Sequence, residues 1–114
     1  MYKLAYSPKS LEDLQSVKDI ISERHGQDTA TLTIKKMINT IRRLEQFPYS
    51  GRELSRISEV QTSYLYLFTE KNYVFYRIDG DTVRIVRILN ERQDFMQILF
   101  GISTVSNTDE YNSN

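Results

Sequence analysis

The chain contains no cysteine and only one histidine among its 114 residues. The missing cysteines exclude disulfides, a thiolate nucleophile and a cysteine-ligated metal site. A single histidine, His25, excludes a catalytic histidine pair and a multi-histidine metal site. We therefore expect neither a metal ion nor a cofactor.

Long apolar runs and an excess of charge of one sign are also missing. The N-terminus MYKLAYSP lacks the apolar stretch of a signal peptide, and no segment resembles a membrane span, so we expect a cytoplasmic protein without a membrane partner. Up to residue 101 the chain carries 15 basic and 13 acidic residues. This balance is not typical of proteins that grip nucleic acid mainly through its phosphates. An anionic partner would have to meet a local cluster of cations.

The N-terminal half predicts a strand and two helices. A strand over residues 2–6 leads into Ser7-Pro8, an N-cap followed by proline at the first helical position. Gly26 is expected to end the first helix in the αL conformation, and Asp28 or Thr29 to cap the second. With a loop of about two to four residues, the helices should form an antiparallel hairpin. The apolar stripe of the second helix contains Ala30, Ile34, Met37, Ile38, Ile41 and Leu44.

The C-terminal half predicts a three-stranded meander. Strands are expected over residues 63–69, 72–78 and 82–89, with turns at Glu70-Lys71 and Asp79-Gly80. The preceding stretch, residues 48–63, is polar and irregular, and residues 94–100 predict a short helix. The fold class is therefore α+β, in the order β-α-α-β-β-β-α, with a small sheet packed on a helical hairpin. We expect one domain over residues 1–101 and a polar, disordered tail over residues 102–114.

Alternation along the strands sorts their residues into two faces. The face that the helical hairpin is expected to cover contains Leu65, Leu67, Val74, Tyr76, Ile78, Val83, Ile85 and Leu89. Arg87 interrupts it, and we expect this arginine to be structural, paired with a carboxylate such as Asp94 or Glu91. The other face is aromatic and cationic, with Tyr64, Tyr66, Phe68, Tyr73, Phe75, Arg77, Arg84, Val86 and Ile88. Its five aromatic residues predict a groove for a partner, and the alternative is a solvated face stabilised by cross-strand arginine–aromatic pairs.

Four stretches in order along the chain resemble the RelE/ParE superfamily of toxins from bacterial type II toxin–antitoxin systems. They are YKLAYSPKSLEDL, LEQFPYSGREL, NYVFYRIDGDTVRIVRIL and ERQDFMQILF. The resemblance implies the RelE/ParE-like fold, growth inhibition or plasmid stabilisation, and a cognate antitoxin that neutralises the toxin. The aromatic face would then be the place where the antitoxin docks.

The superfamily divides by target, and the resemblance separates the two types at a few positions. RelE-like members cleave messenger RNA on the ribosome with basic residues of the sheet face, whereas ParE-like members inhibit DNA gyrase. The expected lysines and arginine of the RelE type fall here at Tyr64, Tyr66 and Tyr73. Arg92 matches the basic position after the last strand, and Asn90 stands where many relatives carry histidine. A lone arginine is a poor acid or base.

The sequence therefore favours a ParE-like, non-enzymatic gyrase inhibitor. A RelE-like ribosome-dependent mRNA endonuclease and a non-toxic, antitoxin-binding regulatory subunit remain as alternatives. No catalytic residue is assigned beyond the family-matching candidate Arg92. The candidates for binding the target or the antitoxin are Tyr64, Tyr66, Tyr73, Phe75, Arg77, Arg84 and Arg92. We expect Arg77, Arg84 and Arg92 to form one contact with an anionic partner, and Glu12, Asp13 and Asp19 to lie on the solvated face of the first helix.

Overall fold

A computed structural model of the chain describes residues 1–102. Its elements are β1 (Lys3–Tyr6), α1 (Pro8–His25), α2 (Gln27–Arg42), β2 (Arg52–Glu53), β3 (Leu65–Thr69), β4 (Asn72–Asp79), β5 (Thr82–Asn90) and α3 (Phe95–Phe100), with single 3-10 turns at Arg43–Glu45 and Leu54–Arg56. The predicted α+β fold class is confirmed, with one strand more than expected. Residues 103–114 of the predicted tail lie outside the described residues.

The strands form one sheet in the order β1-β5-β4-β3-β2. β1 runs parallel to β5, and the remaining neighbours are antiparallel. The unexpected strand, β2, has only two residues, with Arg52 opposite Tyr66 and Glu53 opposite Leu65. Because both β2 residues are charged and exposed, the segment has no apolar alternation from which a strand is predicted.

The two long helices are joined by Gly26 alone. The Ser7 Oγ accepts the backbone N–H of Ser10 at 3.0 Å, and Pro8 opens α1, as the sequence predicts. The predicted αL cap is wrong, because Gly26 adopts φ 93 and ψ 162 and α2 begins at the next residue without a side-chain cap. This positive-φ, extended conformation suits glycine, which has no Cβ. It reverses the chain in one residue and leaves no loop for Asp28 or Thr29 to cap.

The first core lies between the helical hairpin and the sheet. From the helical side Ala30, Met37, Ile41 and Leu44 are buried, which confirms the predicted stripe. The sheet contributes Leu65, Val74, Tyr76, Val83, Ile85 and Ile88. Most of the predicted helix-facing residues of the sheet therefore lie where the alternation places them.

A β-bulge in β5 changes this alternation halfway along the strand. Tyr76 lies opposite Ile85, but the preceding Phe75 lies opposite Arg87, so Val86 is the extra residue. Ile88 consequently belongs to the helix-facing core and Leu89 to the other side of the sheet. The predicted faces of these two residues are wrong, because simple alternation does not survive an inserted residue.

The aromatic face is a second core rather than an open groove. Leu54, Tyr66, Phe75 and Leu89 are buried there, and α3 packs over them through Phe95, Ile98, Leu99 and Phe100. Asp94 caps α3, with its Oδ1 accepting the backbone N–H of Gln97 at 3.2 Å. The sequence predicts this short helix over residues 94–100, but not the face of the sheet against which it packs. The expected openness is therefore wrong for Tyr66 and Phe75, which α3 covers, whereas Phe68 is 50% exposed and Tyr64 and Tyr73 are partly exposed. Whether a partner binds these exposed residues stays a prediction.

Candidate functional site

Aromatic contacts hold α3 on the sheet and decide which candidate residues are accessible. The Phe95 ring lies 5.4 Å from Tyr73 and 5.3 Å from Phe75, and Phe100 stacks on Tyr64 at 6.0 Å. Such distances are typical of favourable aromatic pairs. Phe75 is fully buried and Tyr66 is 8% exposed, whereas Tyr64 and Tyr73 remain partly exposed. A partner can reach the latter two without displacing α3.

Arg77 and Arg84 form an exposed pair at the far end of the same face. They lie directly opposite each other on β4 and β5. The Oδ2 of Asp79 lies 2.9 Å from the Nε of Arg84 and 3.7 Å from the Nη2 of Arg77. We call Arg77 and Arg84 the arginine pair, and Asp79 is the carboxylate that they share.

Arg92 does not belong to this cluster. It follows β5 in a turn where its backbone N–H donates to the Oδ1 of Asn90 at 3.0 Å. Asn90 lies opposite Asn72, and Asn72 and Arg77 are five residues apart along β4, which is roughly 17 Å of strand. The expectation that the three arginines form one contact is therefore wrong. Arg92 and the arginine pair occupy opposite ends of the sheet.

Arg87 is structural, as expected, but its partner is different from the prediction. Its Nε and Nη2 donate to the two carboxylate oxygens of Asp13 at 2.7 and 2.9 Å, and neither Asp94 nor Glu91 is involved. The backbone N–H of Ile88 also donates to Asp13, at 2.9 Å. The hydrogen bonds from Arg87 to Asp13 raise the pKa of the guanidinium above its ordinary value. Asp13 is thus not part of the solvated helix face.

The backbone explains why no sequence pattern predicts the pairing of Asp13 with Arg87. β1 ends at Tyr6, opposite Ile85, so β5 has no parallel neighbour beyond that point. The start of α1 takes over: the Ser7 hydroxyl donates to the Val86 carbonyl at 2.8 Å, and Asp13 accepts from Ile88. The two partners are more than 70 residues apart in the sequence, and no local pattern connects them.

An open hollow of about 560 Å³ lies beside β2. Its exposed apolar walls are Tyr49 and Ile57, and its charged residues are Arg52, Glu53 and Arg56. Arg56 is held by Glu53, with 2.6 Å between Nε and Oε2. Of the two arginines in the hollow, Arg56 is therefore paired with an acidic side chain.

Gly51 lines this hollow and is held in place by Tyr76. The Tyr76 hydroxyl donates to the Pro48 carbonyl and accepts the Gly51 N–H, both at 2.9 Å. A Cβ on residue 51 would collide with this hydroxyl and would lie 2.8 Å from the Tyr66 carbonyl oxygen. Burial raises the pKa of Tyr76, and the Gly51 N–H lowers it by a smaller amount. The tyrosine is therefore neutral at physiological pH and fixes the segment that leads into β2.

Within residues 1–102, no group of three or more histidine, aspartate or glutamate side chains could hold a metal ion. In the same part of the chain, no helix is long and apolar enough to cross a membrane.

The positions at which RelE-like enzymes place basic residues hold Tyr64, Tyr66 and Tyr73, in contact with one another or with α3. The arrangement is suited to binding.

Residues 4–95 match the family model described as the ParE toxin of the type II toxin–antitoxin system, parDE. The chain belongs to the ParE toxin family. The predicted RelE/ParE superfamily, the function as a toxin of a toxin–antitoxin system and the preference for its ParE branch are thereby confirmed.

Known ParE proteins resemble the chain in both sequence and fold. Toxin ParE1 of Mycobacterium tuberculosis is 29% identical over 89 residues, which cover 77% of this chain and 88% of that protein. A structure of the chromosomal ParDE system from P. aeruginosa superposes with a TM-score of 0.69 at 23% identity, covering 79% of this chain and 96% of that one. The E. coli DinJ–YafQ complex gives a TM-score of 0.52 at 13% identity, over 89% of this chain and 100% of the matched chain. These two structures show a shared fold, and the ParE1 match adds similarity in sequence.

Proposed function

We propose that this ParE family chain inhibits bacterial growth by binding DNA gyrase without catalysing a reaction, and that a cognate antitoxin neutralises it. The proposal keeps the cytoplasmic location expected from the sequence, because gyrase acts there. It treats residues 1–101 as the toxin domain.

The observation that carries the proposal is the packed aromatic core on the sheet face. Ribosome-dependent nucleases of the related type need accessible basic side chains on that face to act on the RNA backbone. In this chain Tyr66 and Phe75 are buried there under Phe95 and its neighbours in α3. A phosphodiester cannot reach Phe75 while α3 is in place, and the residues that stay accessible at the RelE-like positions, Tyr64 and Tyr73, carry no basic group.

Arg92 alone does not restore nuclease chemistry. A guanidinium group can stabilise negative charge, but it is a poor acid or base. Exposed at the end of β5, Arg92 is well placed to contact an acidic surface. Its role in the proposal is therefore target binding.

The target is tested by inducing the chain in a bacterial host and following plasmid supercoiling and transcript integrity together. We expect loss of negative supercoiling with intact transcripts, and inhibition of purified gyrase by the purified chain. The exposed Lys35→Ala variant on α2 serves as a control that should behave like the native chain. Transcripts cut at codon boundaries with unchanged supercoiling would instead identify a ribosome-dependent nuclease.

The antitoxin is tested by co-expressing the small open reading frame adjacent to the toxin gene. We expect growth to be restored and the two proteins to purify together. Normal growth with abundant folded toxin alone, together with binding to the adjacent gene product, would identify a non-toxic regulatory subunit.

A further inference from the structure

The arginine pair is an arrangement that costs the sheet stability. Like charges directly opposite each other on neighbouring strands repel, and Arg77 lies directly opposite Arg84. Asp79 offsets part of this repulsion, since its Oδ2 lies 2.9 Å from Arg84 and 3.7 Å from Arg77. One carboxylate therefore faces two guanidinium groups, and one positive charge is left over at this end of the sheet.

Both guanidinium groups have donors to spare. Each carries five N–H bonds, whereas Asp79 contacts only the Nε of Arg84 and the Nη2 of Arg77. Within residues 1–102, no second carboxylate pairs with either arginine. The side chains are 44% and 49% exposed, so an additional acceptor can approach from solvent.

We infer that Arg77 and Arg84 bind a carboxylate side chain from an acidic segment of a partner protein. The inference deepens the proposed function, in which the chain binds other proteins, by giving the chemistry of one contact. Asp79 shows that an oxygen of a carboxylate fits between the two arginines. A second carboxylate can engage the remaining N–H donors in the paired geometry that guanidinium and carboxylate groups favour.

The surroundings favour an acidic polypeptide over nucleic acid. Asp79 and Asp81 flank the β4–β5 turn beside the arginine pair. The evenly spaced charges of a phosphate backbone would meet these two carboxylates, whereas a polypeptide can place a single carboxylate on the two arginines. The described residues carry only two more basic than acidic side chains, which is a weak attraction for a polyanion. Continuing the β3–β4 register by one residue places Tyr64 opposite Arg77. Tyr64 stacks on Phe100 and offers aromatic surface to a peptide beside the two cations.

The test uses the purified full chain labelled with nitrogen-15, in which the Nε–H signal of each arginine is followed by NMR. The probes are a hexaglutamate peptide, a hexaglutamine peptide, inorganic phosphate and a short DNA duplex. We expect hexaglutamate to shift the Arg77 and Arg84 signals saturably, and hexaglutamine to leave them unchanged. The shift should weaken at high salt, because exposed charges are screened.

A double variant tests the assignment to these residues. Arg77→Gln with Arg84→Gln should weaken hexaglutamate binding, read from the backbone amides of the β4–β5 turn, by about tenfold or more. The matched control Arg24→Gln with Arg43→Gln removes the same charge from exposed helix ends and should change binding much less. Equal loss in both double variants would overturn the inference, because the attraction would then be a property of net charge.

The remaining outcomes also decide the inference. Tighter binding of the DNA duplex than of hexaglutamate at the same signals would identify a nucleic-acid site, and equal shifts with phosphate would identify an unspecific anion site. No shift with any probe would show that the arginine pair binds no external carboxylate, and it would overturn the inference. Because gyrase is absent from this experiment, its result stands whether or not the chain inhibits gyrase.

Discussion

Asp13 on α1 and Arg87 on β5 form a two-point ion pair, with 2.7 Å from Nε to Oδ2 and 2.9 Å from Nη2 to Oδ1. The same Oδ2 accepts the backbone N–H of Ile88. Both side chains are mostly buried, with 12% of Asp13 and 21% of Arg87 exposed. The pair therefore satisfies a backbone N–H of β5 beyond the end of β1, and it anchors α1 to β5.

Removing either member of this pair should destabilise the fold before it affects target binding. We expect Arg87→Ala and Asp13→Ala each to lower the free energy of unfolding by about 2–3 kcal/mol, because each leaves a buried charge without its partner. The double variant should lose less than the sum of the two. Urea denaturation of the four proteins measures the coupling, and the exposed Asp19→Ala variant is the control. Additive losses, or lost growth inhibition at unchanged stability, would contradict a structural role.

Arg92→Ala should have the opposite profile. The side chain is exposed, so the free energy of unfolding should change by only about half a kcal/mol, while growth inhibition falls. Arg43→Ala, which removes another exposed arginine from the 3-10 turn after α2, should leave inhibition intact. Thermal melts and growth curves of both variants are compared at equal expression. Unfolding of the Arg92 variant would show that this residue supports the turn after β5.

Tyr76 should make the fold sensitive to alkaline pH. Burial raises its pKa in the folded state above 10.0, so the folded protein holds this proton more tightly than the unfolded chain does. Its contribution to stability is fully present below about pH 10 and is lost as the pH rises through the folded-state pKa. Tyr6 behaves in the same direction, with burial the main cause.

Tyr76→Phe tests this pH dependence. At neutral pH the variant should be about 1–2 kcal/mol less stable, because the Gly51 N–H and the Pro48 carbonyl lose their partner. Above pH 10 its stability should decline less steeply than that of the native chain. Urea denaturation at several alkaline pH values gives both slopes, and the exposed Tyr49→Phe variant should reproduce the native slope. Parallel curves for Tyr76→Phe and the native chain would rule out the assignment.

Phe95 should hold α3 on the sheet. Phe95→Ala removes the ring that contacts Tyr73 and Phe75, and we expect a loss of about 2–3 kcal/mol. Exposure of the aromatic core should also increase binding of a hydrophobic dye. Phe47→Ala, at a ring that is 62% exposed, is the matched control and should show neither effect. If dye binding stays at the native level, residues other than Phe95 keep the face closed.

The sequence predicts the parts of this fold that depend on local patterns. The Ser7-Pro8 start of α1, the stripe from Ala30 to Leu44 and the meander of β3, β4 and β5 all follow from residue spacing and turn residues. Five of the seven binding candidates lie in the predicted strands, Arg92 follows β5 as expected, and Tyr64 lies one residue before β3. Whether they contact a partner stays a prediction.

The parts that were missed depend on long-range geometry. The bulge at Val86 moves Ile88 and Leu89 to opposite faces without any change in the hydrophobic pattern. The packing of α3 on the aromatic face follows from the direction in which the chain leaves β5. The sequence of α3 does not reveal that direction. The Asp13–Arg87 pair likewise requires the ends of β1 and β5 to be known. Of these errors, the missed packing of α3 is the one that made the aromatic face look more open than it is.

The position of β5 between β1 and β4 determines when the toxin can first exist. Lys3 in β1 lies opposite Thr82 in β5, so the N-terminal strand has no partner until nearly the whole domain has been synthesised. At about 5–20 residues per second, the 79 residues that separate them take the ribosome roughly 4–16 s. During that time the arginine pair is incomplete and the second core has no α3. The complete sheet, and with it the folded toxin domain, therefore cannot form during that interval.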